Sequence, residues 1–170
     1  NWEKSEIPTH MPEHVDYRVI TWSPKTTKSN LKQLSEMFTI KDKLVIFLMN
    51  IDAFATKKGI QIAEKFLSGF VALMAVDEST TIKSPTAQRT KNLIKLRQLA
   101  KYRRILTGSP VTKSPLDLYT QSYFLDPYFL DFSSFYTFKA RYCQLVNRNM
   151  GSHSFKQIVG YQRLDELNHK

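Results

Sequence analysis

Phe70-Val71-Ala72-Leu73-Met74-Ala75-Val76-Asp77-Glu78-Ser79-Thr80 is the stretch that decides the fold. Seven apolar residues without polar alternation predict a strand buried on both faces of a sheet. The run ends in two adjacent carboxylates and two hydroxyls. In open α/β sheets the chemistry gathers at the carboxyl ends of the strands. Asp77-Glu78 therefore has the make-up of a pair that holds a divalent cation and orients a water. A strand running into an ordinary polar loop would look the same, so the flanking sequence has to separate the two.

Upstream, Tyr17 to Trp22 reads as a strand of β-branched and aromatic residues stopped by Ser23-Pro24. Leu31, Leu34 and Phe38 recur at helical spacing and predict a helix from about Thr27 to Phe38. Leu44 to Met49 is a second apolar strand. Ile60, Ala63, Phe66 and Leu67 share a helical face that Gly69 closes. Downstream, Ser84-Pro85 predicts a helix start, with Leu93, Leu96 and Ala100 inward and Lys91, Lys95 and Gln98 opposite. Tyr102 to Leu106 is a short strand, and Ser114-Pro115 opens a helix running through Tyr123. Strand and helix thus alternate over residues 17–125, the pattern of a parallel sheet flanked by helices. Residues 126–170 break the rhythm: an aromatic stretch from Tyr128 to Tyr142 containing one helix, a hairpin from Leu145 to Tyr161 around Gly151, and a helix starting at Leu164. The expected domains are 1–125 and an appended helical and hairpin subdomain, 126–170.

The chain has 170 residues, enough for one core, and 42% hydrophobic against 24% charged residues argues against disorder. No apolar run reaches the roughly 18–20 residues of a membrane span, and no signal sequence opens the chain, so an intracellular, cytoplasmic location is expected. A lone Cys143 forms no internal disulfide, and the four histidines lack a His-x-x-x-His pair, which argues against a zinc site. Net charge is +10, favouring polyanionic partners, nucleic acid first. Between Ser79 and Leu116 no acid occurs, while Lys83, Arg89, Lys91, Lys95, Arg97, Lys101, Arg103, Arg104 and Lys113 are all basic. A solvated helix face is the plain reading of that run; a polyanion contact is the functional one.

Two neighbouring strands now end in polar signatures, Asp77-Glu78-Ser79-Thr80 and Thr107-Gly108-Ser109-Pro110. In a parallel sheet both ends fall on one edge. Phosphoryl transfer needs a metal ligand, a group that orients the attacking water, and hydroxyls that sense the terminal phosphate. Asp77 suits the metal role, holding Mg²⁺ through its waters, and Glu78 suits the water. Thr107 and Ser109 would hydrogen-bond to the Asp77-Glu78 loop or to a nucleic-acid backbone, and Gly108 would permit close backbone approach.

These segments resemble a known family. Asp77 to Thr80, Ile82 to Pro85 and Arg103 to Pro110 are similar to motifs II and III of Swi/Snf-type helicases of superfamily 2. Ser114 to Tyr119 and Phe124-Leu125-Asp126-Pro127 are also typical of it. Asn1-Trp2 resembles the end of motif Ia, and Phe47 to Phe54 resembles motif Ib. The usual motif II has His where this chain has Thr80, a variation closer to small phage and bacterial members than to chromatin remodellers. The resemblance implies a RecA-like α/β lobe with a three-layer parallel sheet and an insertion after motif III. It also implies a DNA translocase driven by ATP hydrolysis with Mg²⁺. Asp77 and Glu78 would be catalytic. Thr80, Thr107, Gly108 and Ser109 would couple the motifs, and Asn50, Lys83, Arg89 and Lys91 would contact DNA or couple to it.

A phosphate-binding loop Gly-x-x-x-x-Gly-Lys-Ser/Thr would cradle the phosphates. None of the five glycines (Gly59, Gly69, Gly108, Gly151, Gly160) is followed by lysine. The chain opens on Asn1, and we expect it to be the inside of a longer protein whose loop lies upstream and whose second RecA-like lobe, with its arginine finger, lies elsewhere. The parent would hydrolyse ATP; these 170 residues alone would not. The alternatives are a non-catalytic nucleic-acid-binding module, a protein-interaction platform on the Tyr128–Tyr142 aromatics, and a carboxylate nuclease. The last is disfavoured by the absence of any Glu-x-Lys step.

Overall fold

The computed structural model describes residues 2–25, 27–151 and 153–170. It is mixed α/β and divides into two compact units, Asn1–Val71 and Ala72–Lys170. The Asn1 end of the motif Ia match lies outside the described residues.

In the first unit, β1 (Tyr17–Thr21) and β2 (Leu44–Leu48) pair in parallel, with Ile20 opposite Phe47. A helical segment that sequence periodicity does not announce precedes them: a π-helical turn, Trp2–Glu6, followed by α1 (Ile7–His10) with Ile7 buried. The helix α2 (Lys28–Met37) starts where the Thr27 hydroxyl accepts the Asn30 N–H. Met37 is its fully buried residue, whereas Leu31 is exposed. The helix α3 (Lys57–Gly69) is capped by Thr56, whose hydroxyl takes the Gly59 N–H at 3.1 Å. It buries Gly59, Ala63 and Leu67. Phe66 lies between Phe47 and Phe70, with ring centroids 5.1 and 4.8 Å away.

In the second unit, β3 (Leu73–Val76) and β4 (Tyr102–Ile105) also pair in parallel, Val76 opposite Ile105. The expected two-faced burial of the opening stretch is not observed. Ala72 and Val76 are buried, but Val71 is 81% and Leu73 54% exposed. The strand alternates because only one face is covered and β4 is its one partner among the described residues. The helix α4 (Gln88–Leu96) begins later than Ser84-Pro85 predicts. Ser84 spends its carbonyl on the Ala87 N–H in a turn, and its hydroxyl lies 3.2 Å from that of Thr86. The inward face is as expected, with Leu93, Leu96 and Ala100 buried.

The helix α5 (Asp117–Leu125) is buried nearly all round, polar Thr120, Gln121 and Ser122 included. Ser114-Pro115 forms the turn that leads into it, the Ser114 carbonyl accepting the Asp117 N–H. Beyond it, α6 (Phe135–Tyr142) carries a Ser134/Thr137 capping box. A hairpin of β5 (Cys143–Met150) and β6 (His153–Tyr161) follows, then α7 (Leu164–Asn168). Tyr119, Leu130, Phe138, Tyr142 and Leu167 form one buried cluster, with Phe132 and Phe135 packed on it. Most of the aromatic stretch is therefore core. No helix among the described residues is long and apolar enough to cross a membrane.

Candidate functional site

The parallel pairing of β3 and β4 brings the two polar strand ends to one edge. The ladder continues past both strands: Leu106 N–H donates to the Val76 carbonyl at 2.9 Å, and Ser79 N–H to the Leu106 carbonyl at 3.0 Å. Asp77 and Glu78 are exposed at that edge. The Asp77 carboxylate accepts the Glu78 N–H at 2.9 Å, turning the chain sharply. Glu78 itself sits at φ 48°, ψ 56°. A left-handed backbone is costly for a residue with a Cβ, and such strain collects at functional positions. Ser79 to Ile82 then form a 3-10 turn whose Ser79 and Ile82 are fully buried.

Ser79 explains how that turn is held. Its hydroxyl donates to the Gln121 amide oxygen at 2.6 Å. The Gln121 amide nitrogen donates in turn to the carbonyls of Pro110 and Asp117, each at 2.7 Å. Both carbonyls can only accept, which fixes the amide orientation. One buried side chain on α5 therefore ties the 77–80 loop to the 107–110 loop. Thr107 and Ser109 act within their own loop: Thr107 Oγ1 accepts the Ser109 N–H, and the Ser109 hydroxyl donates to the Val111 carbonyl. A Cβ at Gly108 would meet nothing within 4 Å, so no close approach inside this chain requires glycine there. Thr80 contributes its carbonyl to the Lys83 N–H.

The cationic run is less free than its sequence suggests, because the first acid beyond it turns back. Asp117 lies 3.4 Å from Lys83 Nζ, and the same ammonium donates to the Thr112 hydroxyl. Burial would raise the Asp117 carboxyl. The N–H of Lys113, the hydroxyl and N–H of Thr112, and the Lys83 charge outweigh it and hold the group down to about 2. Lys83 is anchored a second time, its carbonyl accepting the Thr120 hydroxyl at 2.6 Å. Arg103 is structural too. Its guanidinium donates to the carbonyls of Leu125, Arg97 and Ala100. Arg97 is buried beneath the Tyr123 ring, 5.3 Å from its centroid. Arg89 donates to the Thr81 carbonyl at 3.2 Å, while Lys91, Lys95, Arg104 and Lys113 stand exposed. Asn50, in the first unit, caps the 3-10 turn Ile51–Ala55 through the Asp52 N–H.

The Asp77-Glu78 edge is open surface. Two clefts among the described residues lie elsewhere, one of about 280 Å³ beside Trp22 and Ile62, and one of about 500 Å³ beside Tyr123 and Phe132. Neither is lined by two adjacent carboxylates, as the β3 end is at Asp77-Glu78. Among the described residues no three His, Cys, Asp or Glu side chains cluster to cage a metal. Two exposed carboxylates suit instead a hard ion that keeps its waters and shares phosphate ligands, as Mg²⁺ does.

Comparison with known proteins gives a consistent family. The SNF2-related domain matches residues 1–167. The SWI/SNF-related matrix-associated actin-dependent regulator of chromatin subfamily A-like protein 1 of Bos taurus is 31% identical over 122 residues, 72% of this chain and 12% of that protein. Its Drosophila melanogaster counterpart is 34% identical over 104 residues, 61% of this chain and 13% of that protein. The DNA annealing helicase and endonuclease ZRANB3 of Mus musculus is 34% identical over 95 residues, 56% of this chain and 9% of that protein. The chain thus matches about an eighth or less of the length of these relatives.

Proposed function

Because this chain belongs to the SNF2-related domain family, we propose that it is the motif Ia to motif III part of a RecA-like lobe in an ATP-dependent DNA helicase or translocase. In this reading residues 1–125 belong to the lobe and 126–170 are its insertion. The observation that carries the proposal is the shared edge. Asp77-Glu78 and Thr107–Pro110 leave neighbouring parallel strands and are joined through Ser79 and Gln121. Bound there, Mg²⁺-ATP would supply the phosphoryl group to be hydrolysed and the charge neutralisation its transfer needs.

Asp77 would hold the ion through its waters, and its bond from the Glu78 N–H sets where the Asp77 carboxylate points. Glu78 orients the attacking water and takes its proton. The buried Ser79–Gln121 bond keeps the pair at a constant position relative to the 107–110 loop. That loop, with Thr80, Thr107, Gly108 and Ser109, couples the site to DNA contacts at Lys83, Arg89 and Lys91, and Asn50 is a further DNA contact. The phosphate-holding loop and the second lobe belong to the rest of the same protein, and the place of action is intracellular, with the DNA.

The test uses the full-length protein that carries this chain. Glu78→Gln is expected to leave ATP binding within about threefold and to lower DNA-stimulated ATP hydrolysis by about a hundredfold or more, general-base loss being worth 10²–10⁴. An unchanged rate removes Glu78 from its role.

A further inference from the structure

We propose that the β5–β6 hairpin is a second nucleic-acid contact, binding a single strand on the face that carries Arg148, Met150 and Phe155. The inference rests on the DNA-motor reading above and names a surface that reading does not use. The register decides the faces. Val146 pairs with Gln157, Arg148 with Phe155 and Met150 with His153, so these six side chains share one face. Leu145 and Ile158 pair on the opposite face and are only half-exposed, whereas Met150 is 75% and Phe155 50% exposed. This face bears the exposed Phe155 ring and the cation Arg148, whereas the other carries Asn147, Asn149, Ser154 and Lys156 beyond Leu145 and Ile158. Arg148 donates to the Gln157 amide oxygen at 3.0 Å across the Phe155 face.

Charge selects the partner. From Phe132 to Leu164 there is no Asp or Glu, while Lys139, Arg141, Arg148, Lys156 and Arg163 are basic. Arg141 is paired with Glu166 at 2.5 Å, but Arg148 is exposed on this face of the ribbon and Lys156 on the other. An apolar face that sought another protein core would gain nothing from excluding every acid. A phosphate backbone with unstacked bases matches both features: cations track the phosphates, and planar bases stack on an exposed ring in any sequence. A duplex would offer the charge but not the base faces, and this selects single-stranded nucleic acid.

The test measures fluorescence anisotropy of the full-length protein with a labelled oligothymidine of about 20 nucleotides and a blunt duplex of similar length. Phe155→Ala is expected to weaken oligothymidine binding about fivefold or more, with less than a twofold change on the duplex. Arg148→Glu is expected to weaken it and to flatten its salt dependence by about one unit of slope. Phe155→Trp should keep the affinity and Phe155→Leu should not, since leucine keeps bulk but lacks a stacking face. Wild-type affinity in Phe155→Ala, full rescue by leucine, or equal losses on the duplex each overturn the proposal. Hydrolysis by Glu78→Gln, scored in parallel, separates the two readings. If Glu78→Gln hydrolyses ATP normally, the motor reading falls. If it does not, while Phe155→Ala binds oligothymidine normally, the hairpin inference alone falls.

Discussion

Ser79 and Gln121, 42 residues apart, meet in a hydrogen bond of 2.6 Å that is closed to solvent. Ser79 is fully buried and Gln121 is 1% exposed, so each is the other's substitute for water. Replacing Gln121 with Leu, of similar volume, strands the buried Ser79 hydroxyl and removes the ties to the Pro110 and Asp117 carbonyls. A stranded group costs about 1–3 kcal/mol. Urea unfolding should show a loss of at least about 2 kcal/mol relative to wild type, and no loss would mean the amide is replaceable.

Acid should reach the same region through Asp117. Its carboxyl sits at about 2 when folded against an ordinary 3.8. A depressed folded value means the stabilisation is fully present above the ordinary value and drains away as pH falls from about 4 through about 2. The difference in unfolding free energy between wild type and Asp117→Asn should be roughly 2 kcal/mol larger at pH 7 than at pH 2. A difference that stays flat over that window would contradict the geometry around Thr112, Lys113 and Lys83.

Glu78 holds its left-handed backbone with a Cβ in place. Glycine adopts that conformation without the penalty, and alanine does not. Glu78→Gly should therefore melt above Glu78→Ala by the equivalent of about 1 kcal/mol, although both lose hydrolysis. Equal melting temperatures would show that the loop relaxes when the carboxylate is removed.

Gly59 is fixed by sterics. A Cβ there would stand 2.2 Å from the Ala53 carbonyl oxygen and 2.7 Å from its carbon, backbone atoms that cannot swing aside. Gly59→Ala should cost about 2 kcal/mol or more, seen as a lowered denaturation midpoint. Gly108→Ala, with open space around it, should cost far less.

The elements were legible where hydrophobic period is strong. The strand–helix alternation, the hairpin and the last helix all follow from apolar spacing and turn residues. The second buried face of the opening strand does not, because seven apolar residues look alike whether one side or both are covered. Trp2–His10 went unread since it is helical without an amphipathic stripe. Gln121 had no signal either: α5 buries polar and apolar residues alike, and one glutamine forms no motif. Asp117 stood out as the end of an acid-free run and within the Ser114–Tyr119 match, but its pairing with Lys83 needed the fold.

Arg103 has a mechanical meaning. By taking the carbonyls of Leu125, Arg97 and Ala100, it fastens the far end of α5 to β4. At its other flank α5 meets α6 through Tyr119 and Phe138, whose ring centroids are 5.4 Å apart. The other end is held as well, the Asp117 carboxylate taking the N–H groups of Thr112 and Lys113, so α5 is a strut fixed at both ends. Gln121 rides on that strut with the Ser79 hydroxyl in its grip, so the position of the 77–80 loop is set by a part of the chain 42 residues away.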